Sequence, residues 1–122
     1  MKSRRLLLTA AVLAAAIVGG RAADIVEIRV SGRYFSEPAT VRITVAVEPD
    51  AANRTLRIEA DGDRLYRSTE VTLEGAAEKR LHTIEFKNLP AGEYELRAEV
   101  LSANAVRAMA SEELMVIGTA GE

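Results

Sequence analysis

Cysteine is absent from all 122 residues, and that one absence closes several routes. No disulfide can staple the fold, no thiolate can act as nucleophile or metal ligand, and no lipid can be attached through a cysteine. Tryptophan is absent as well, and aromatics make up 4% of the chain. A sugar-stacking platform would therefore rest on a few scattered rings. His82 is the single histidine, which excludes a paired-histidine metal site.

What is present begins with a basic start at Lys2, Arg4 and Arg5, an apolar run from Leu6 to Val18, and a small-residue exit at Gly19 to Ala23. This is the layout of a secretory signal peptide over residues 1–22, with the mature chain starting at Ala23 or Asp24. The apolar run is too short to span a bilayer comfortably, so no stable membrane insertion is expected after cleavage. Ser3-Arg4-Arg5-Leu6-Leu7 also resembles a twin-arginine export signal, and both export routes stay open. Removing Lys2, Arg4, Arg5 and Arg21 from sixteen basic residues leaves twelve against eighteen acids, a net charge near −6. That balance argues against nucleic acid or anionic lipid as a partner. The expected location is periplasmic or secreted.

From Asp24 onward the dominant signal is a period of two. Val26, Ile28 and Val30 alternate with Glu27 and Arg29; Val41, Ile43, Val45 and Val47 alternate with Thr40, Arg42 and Thr44; Leu56, Ile58 and Ala60 alternate with Arg57 and Glu59. The strongest case is Leu81 to Leu101, where Ile84 and Phe86, then Tyr94, Leu96, Ala98 and Val100, alternate with charged residues. Strands with one buried and one wet face read this way. Asp61-Gly62-Asp63 and Ser102-Ala103-Asn104 read as hairpin turns, and a bulge is expected near Ser111-Glu112. The register of Leu65 to Leu73 stays open. Pro38 bars a central-strand position. The count is seven or eight short strands without a helix in the mature chain, an all-β antiparallel sandwich or barrel. One domain spans residues 23–118, and 119–122 form a fraying tail.

The segment Phe86-Lys87-Asn88-Leu89-Pro90-Ala91-Gly92-Glu93-Tyr94-Glu95-Leu96 resembles the corner between strands E and F of immunoglobulin-like and fibronectin type III-like domains. In those folds a tyrosine at the start of strand F reaches back with its hydroxyl to a backbone group upstream. The resemblance implies an antiparallel immunoglobulin-like sandwich with Leu89, Pro90, Gly92 and Tyr94 as structural residues, Tyr94 meeting the backbone between Asn88 and Pro90. Transthyretin-like and carboxypeptidase-regulatory-like sandwiches carry a similar turn and are the alternative fold. The chain departs from antibody-type domains in lacking their tryptophan and disulfide, so Ile43, Val45, Ile58, Leu96 and Val100 must fill that space.

Candidate chemistry is sparse. His82 could enter a Ser-His-Asp arrangement, but no nucleophile elbow accompanies it, and at a strand start it reads as an ordinary surface residue. Asp61 and Asp63, with Asp50 and Glu48, could offer oxygens to calcium, which needs six to eight. Tyr34, Phe35 and Tyr66 are the rings available to a glycan. Asn53-Arg54-Thr55 is a formal glycosylation sequon. Arg64, Arg67, Lys79 and Arg80, interleaved with Glu70, Glu74 and Glu78, read as a solvated edge that discourages aggregation. No catalytic, cofactor or metal residue is assigned. The chain reads as an exported module, not an enzyme, binding another exported or envelope protein through a sheet edge or end loops. A calcium- or glycan-binding module is the alternative.

Overall fold

The alternating segments close into two sheets. The computed structural model describes residues 25–118; the signal-peptide reading of residues 1–22 and the tail at 119–122 lie outside them. Eight strands occur there in chain order: Val26–Val30 (β1), Tyr34–Ser36 (β2), Ala39–Val47 (β3), Thr55–Gly62 (β4), Tyr66–Thr72 (β5), Leu81–Leu89 (β6), Gly92–Leu101 (β7) and Val106–Ile117 (β8). One sheet has the order β1-β3-β6 and the other β2-β8-β7-β4-β5. A single 3-10 turn, Gly75–Ala77, lies on the crossing between β5 and β6.

The buried positions are the ones the period of two selects. Val41, Ile43 and Val45 of β3 and Leu56, Ile58, Leu96 and Val100 of the opposite sheet meet in one core. Each such side chain contributes about 1.5–3 kcal/mol relative to exposure. With no disulfide in the chain, this aliphatic contact is what couples the sheets.

Four local expectations need correction. The pairing is not wholly antiparallel: β2 runs parallel to β8, with Tyr34 opposite Met115 and Ser36 opposite Ile117. The chain leaves the first sheet at Ser31-Gly32-Arg33 and joins the second, on the far side of the core, for three residues. The bulge lies between Val100 and Leu101, beside the last hairpin, and the ladder passes through Ser111 and Glu112 unbroken. The middle hairpin turns at Asp63-Arg64, closed by Gly62 N–H donating to Leu65 O at 2.9 Å. Gly62 therefore belongs to β4, where a Cβ would stand 2.5 Å from the Tyr94 ring; its lack of a side chain serves packing. Finally, His82 points inward from β6 and is only 4% exposed, its Nε2 lying 3.1 Å from Lys79 O.

Candidate functional site

Residues that alternate with the core place charge on the outward face of the five-stranded sheet. In register across β5, β4, β7 and β8 stand Glu70, Arg57, Glu99 and Met109, then Ser68, Glu59, Arg97 and Ser111, then Tyr66, Asp61, Glu95 and Glu113. Arg57 bridges Glu70 at 3.2 Å and Glu99 at 3.1 Å. Arg97 reaches Glu59 and Glu95 at 3.0 Å and Asp61 at 3.4 Å. With Glu93, seven carboxylates share this face with Arg57, Arg97 and, near the last hairpin, Arg107, whereas Glu27, Arg29, Arg42, Glu85 and Lys87 nearly balance on the other sheet. The chain's negative charge is concentrated on one side.

Glu59 is the most enclosed of these acids. The Tyr66 hydroxyl donates to it and holds its carboxyl below the usual range, against desolvation, with Arg97 adding in the same direction. A depressed folded-state pKa stabilises the fold above the unfolded value and is lost as pH falls through the folded one. Glu59→Gln is therefore expected to destabilise at pH 7, and the difference from wild type should shrink below about pH 4.3. Urea unfolding at pH 7 and pH 3 checks this; an equal difference at both would assign the cost to packing.

Where this face meets the end of the sheet, a cleft of about 350 Å³ opens. It is lined by Arg33 and Tyr34 from the start of β2, Asp61 and Asp63 from the middle hairpin, Glu93 to Glu95 of β7, and Glu113 to Met115 of β8. Tyr34 is 69% exposed. Among the described residues, Asp63, Glu93 and Glu113 make no ion pair, so their charge is directed to the cleft and solvent. An exposed aromatic ring beside carboxylates that outnumber the one cation of the lining, Arg33, favours a cationic group.

The sequence-predicted corner sits at the same end of the molecule. Leu89 is fully buried, and Gly92 holds φ +151, where side chains rarely go. The Tyr94 hydroxyl donates to Pro90 O at 2.6 Å. Asn88 adopts φ 61, a left-handed position that asparagine tolerates and that the apolar alternation does not mark. Arg64 donates to Ala91 O at 3.2 Å, Arg67 donates to Lys87 O, and Ala91 N–H donates to Glu37 at 2.8 Å. Arg64 and Arg67, read from the sequence as part of a solvated edge, stay at the surface and in addition satisfy backbone carbonyls at the corner.

The other candidates are dispersed. Asp61 is held by Arg97, Glu48 by Arg80 at 2.6 Å, and Asp50 accepts from Ala52 N–H at 2.8 Å. No group of three or more His, Asp or Glu among the described residues is spaced to hold a metal ion. Tyr34 and Tyr66 stand on opposite edges of a five-stranded sheet, roughly 19 Å apart at the usual strand spacing, while Phe35 packs against the core. Asn53 of the sequon is 1% exposed, its amide donating to Glu48 O and accepting from Arg107, so it is closed to glycosyl transfer.

No protein-family model and no curated protein matches the chain. Among solved structures it is similar to a superoxide reductase (neelaredoxin) from Ignicoccus hospitalis, with a TM-score of 0.56 and 15% identity, covering 76% of this chain and 80% of that one. It also aligns with the CARDB domain of a Pyrococcus furiosus protein, solved in complex with di-metal ions, at a TM-score of 0.48 and 16% identity, over 75% of this chain and 90% of that one. At such identities the likeness is one of all-β fold. It nonetheless overturns the sequence-based reading that the chain is not an enzyme: an enzyme is built on a similar fold, so the architecture gives no ground for excluding catalysis.

Proposed function

We propose that this is an exported, immunoglobulin-like binding domain whose cleft at the end of the five-stranded sheet receives a basic segment of another exported or envelope protein. The observation that carries the reading is the cleft itself, which sets exposed Tyr34 against Asp63, Glu93 and Glu113 on the acidic side of the molecule. A lysine or arginine side chain entering it would stack on the ring and meet carboxylates. The surrounding negative field would speed encounter with a basic partner and weaken as salt rises.

Two features support the immunoglobulin-like assignment. Lettering β1, β3 and β6 as A, B and E, and β8, β7, β4 and β5 as G, F, C and C′, follows the strand partition of that fold except that strand D is missing and β2 is added beside G. Tyr94 opens β7, the F position, and bonds back to Pro90. Export is supported by the layout of Lys2 to Ala23.

The test is capture of binding proteins from the native periplasm or medium on immobilised protein, across a salt series. Capture should weaken with salt and fall in Tyr34→Ala and in the double change Glu93→Gln with Glu113→Gln, while Arg42→Ala on the opposite sheet leaves it intact. Capture that is indifferent to salt and to these cleft changes would overturn the reading.

A further inference from the structure

We infer that the open edge of β5 is a self-association surface, on which a second copy of this chain pairs antiparallel about a two-fold axis at Thr69. β5 ends its sheet, with β4 on one side and no strand on the other among the described residues. Gly62 N–H donates to Leu65 O, and Leu73 N–H donates to Arg54 O, both at 2.9 Å. In an antiparallel ladder these bonds alternate, so the odd residues of β5 turn their backbone groups toward β4. Tyr66, Ser68, Glu70 and Thr72 turn theirs outward.

Two of the devices that keep edges apart, proline and bulges, are missing from this edge. It contains no proline or glycine, and its register with β4 runs unbroken from Tyr66 to Thr72. Natural edges are guarded by charged side chains, prolines or bulges. Here both charges are engaged within the chain: Arg67 donates to Lys87 O, and Glu70, though 57% exposed, pairs with Arg57 at 3.2 Å. By contrast, β2 at the opposite edge has three residues.

The strand is complementary to itself in one register. Centring the pair on Thr69 sets Tyr66 against the partner's Thr72 and Ser68 against the partner's Glu70. All four outward residues of each copy are then used, for about eight hydrogen bonds. On the other face Arg67 meets the partner's Val71, and Thr69 meets the partner's Thr69, a favourable cross-strand pair. No like charges stand directly opposite. Centring on Glu70 would oppose Glu70 to the partner's Glu70, and centring on Ser68 would leave Thr72 unpaired. The two five-stranded sheets become one continuous sheet of ten, an isologous contact that closes at two copies.

Thr69→Cys tests this directly, because the chain has no other cysteine and any disulfide must join two molecules. A non-hydrogen-bonded antiparallel pair brings Cα atoms to about 4.5 Å, within disulfide reach. Under mild oxidation Thr69→Cys should become a covalent dimer many-fold faster than Glu27→Cys, which is exposed on β1 of the other sheet. Wild type should sediment with twice the monomer mass and Ser68→Pro with the monomer mass, since proline there removes an outward N–H and spares the β4 ladder. A wild-type monomer at high concentration, or Thr69→Cys crosslinking no faster than Glu27→Cys, would overturn the inference.

Discussion

Tyr94→Ala should cost about 3–5 kcal/mol, as truncations of large buried aromatics do. The ring is 4% exposed, burial pushes its phenol up from the ordinary value, and its hydroxyl donates to Pro90 O at 2.6 Å. Tyr94→Phe keeps the ring and removes that bond alone, for about 0.5–1.5 kcal/mol. Gly62 supplies a specific check on the ring's position. A Cβ there would meet ring carbons at 2.5 and 2.7 Å, so Gly62→Ala should destabilise wild type by overpacking, about 1–3 kcal/mol. In the Tyr94→Ala background the space is open and most of that cost should vanish, a coupling that a double-mutant cycle in urea reads. Against a total stability of about 5–15 kcal/mol, Tyr94→Ala is measurable only where some folded protein remains, so the Phe and Gly62 variants carry the comparison. A cost for Tyr94→Ala no greater than that of Glu93→Ala would mean that the corner does not anchor the fold.

Much of this architecture was legible because one-sided burial writes itself into sequence. Val41, Ile43 and Val45, or Leu96, Ala98 and Val100, face a core that accepts only apolar groups, while their neighbours face water. The period fades where that contrast fades. Along β5 the inward residues Arg67, Thr69 and Val71 are only half-buried, so neither face is strongly selected and the register could not be read. β2 is three residues long and paired with the far end of the chain, a contact that leaves no local pattern. Gly62 beside Asp61 has the composition of a turn, yet its role is set by a ring thirty-two positions away. The reach of Arg64 and Arg67 to corner carbonyls depends on which edges face each other, and burial of His82 on how the crossing after β5 folds over it. The cleft was invisible for the same reason, since its lining comes from four separated segments.

Leu96→Ala is the second large effect expected, about 2–5 kcal/mol. Leu96 stands in the central strand of the larger sheet, opposite Ala60 on one side and Glu112 on the other, and is 0% exposed. It lies two residues after Tyr94, where the proposed immunoglobulin-like frame puts the second cysteine of an inter-sheet disulfide. Here that position carries no covalent bond, and aliphatic contact with the facing sheet is what remains. Truncation leaves a cavity that Ala60 and Ala98, already minimal side chains, cannot fill without backbone movement. Leu96→Met preserves volume and should cost less than about 1.5 kcal/mol. Leu101→Ala, at the half-exposed end of the same strand, should cost less than Leu96→Ala. For a domain of this size each kcal/mol is roughly 4–8 °C in melting temperature, so the truncation should lower it by at least about 8 °C. Thermal and urea unfolding of the three variants decide the matter: if Leu96→Ala falls no further than Leu101→Ala, the two sheets are held together by something other than this contact.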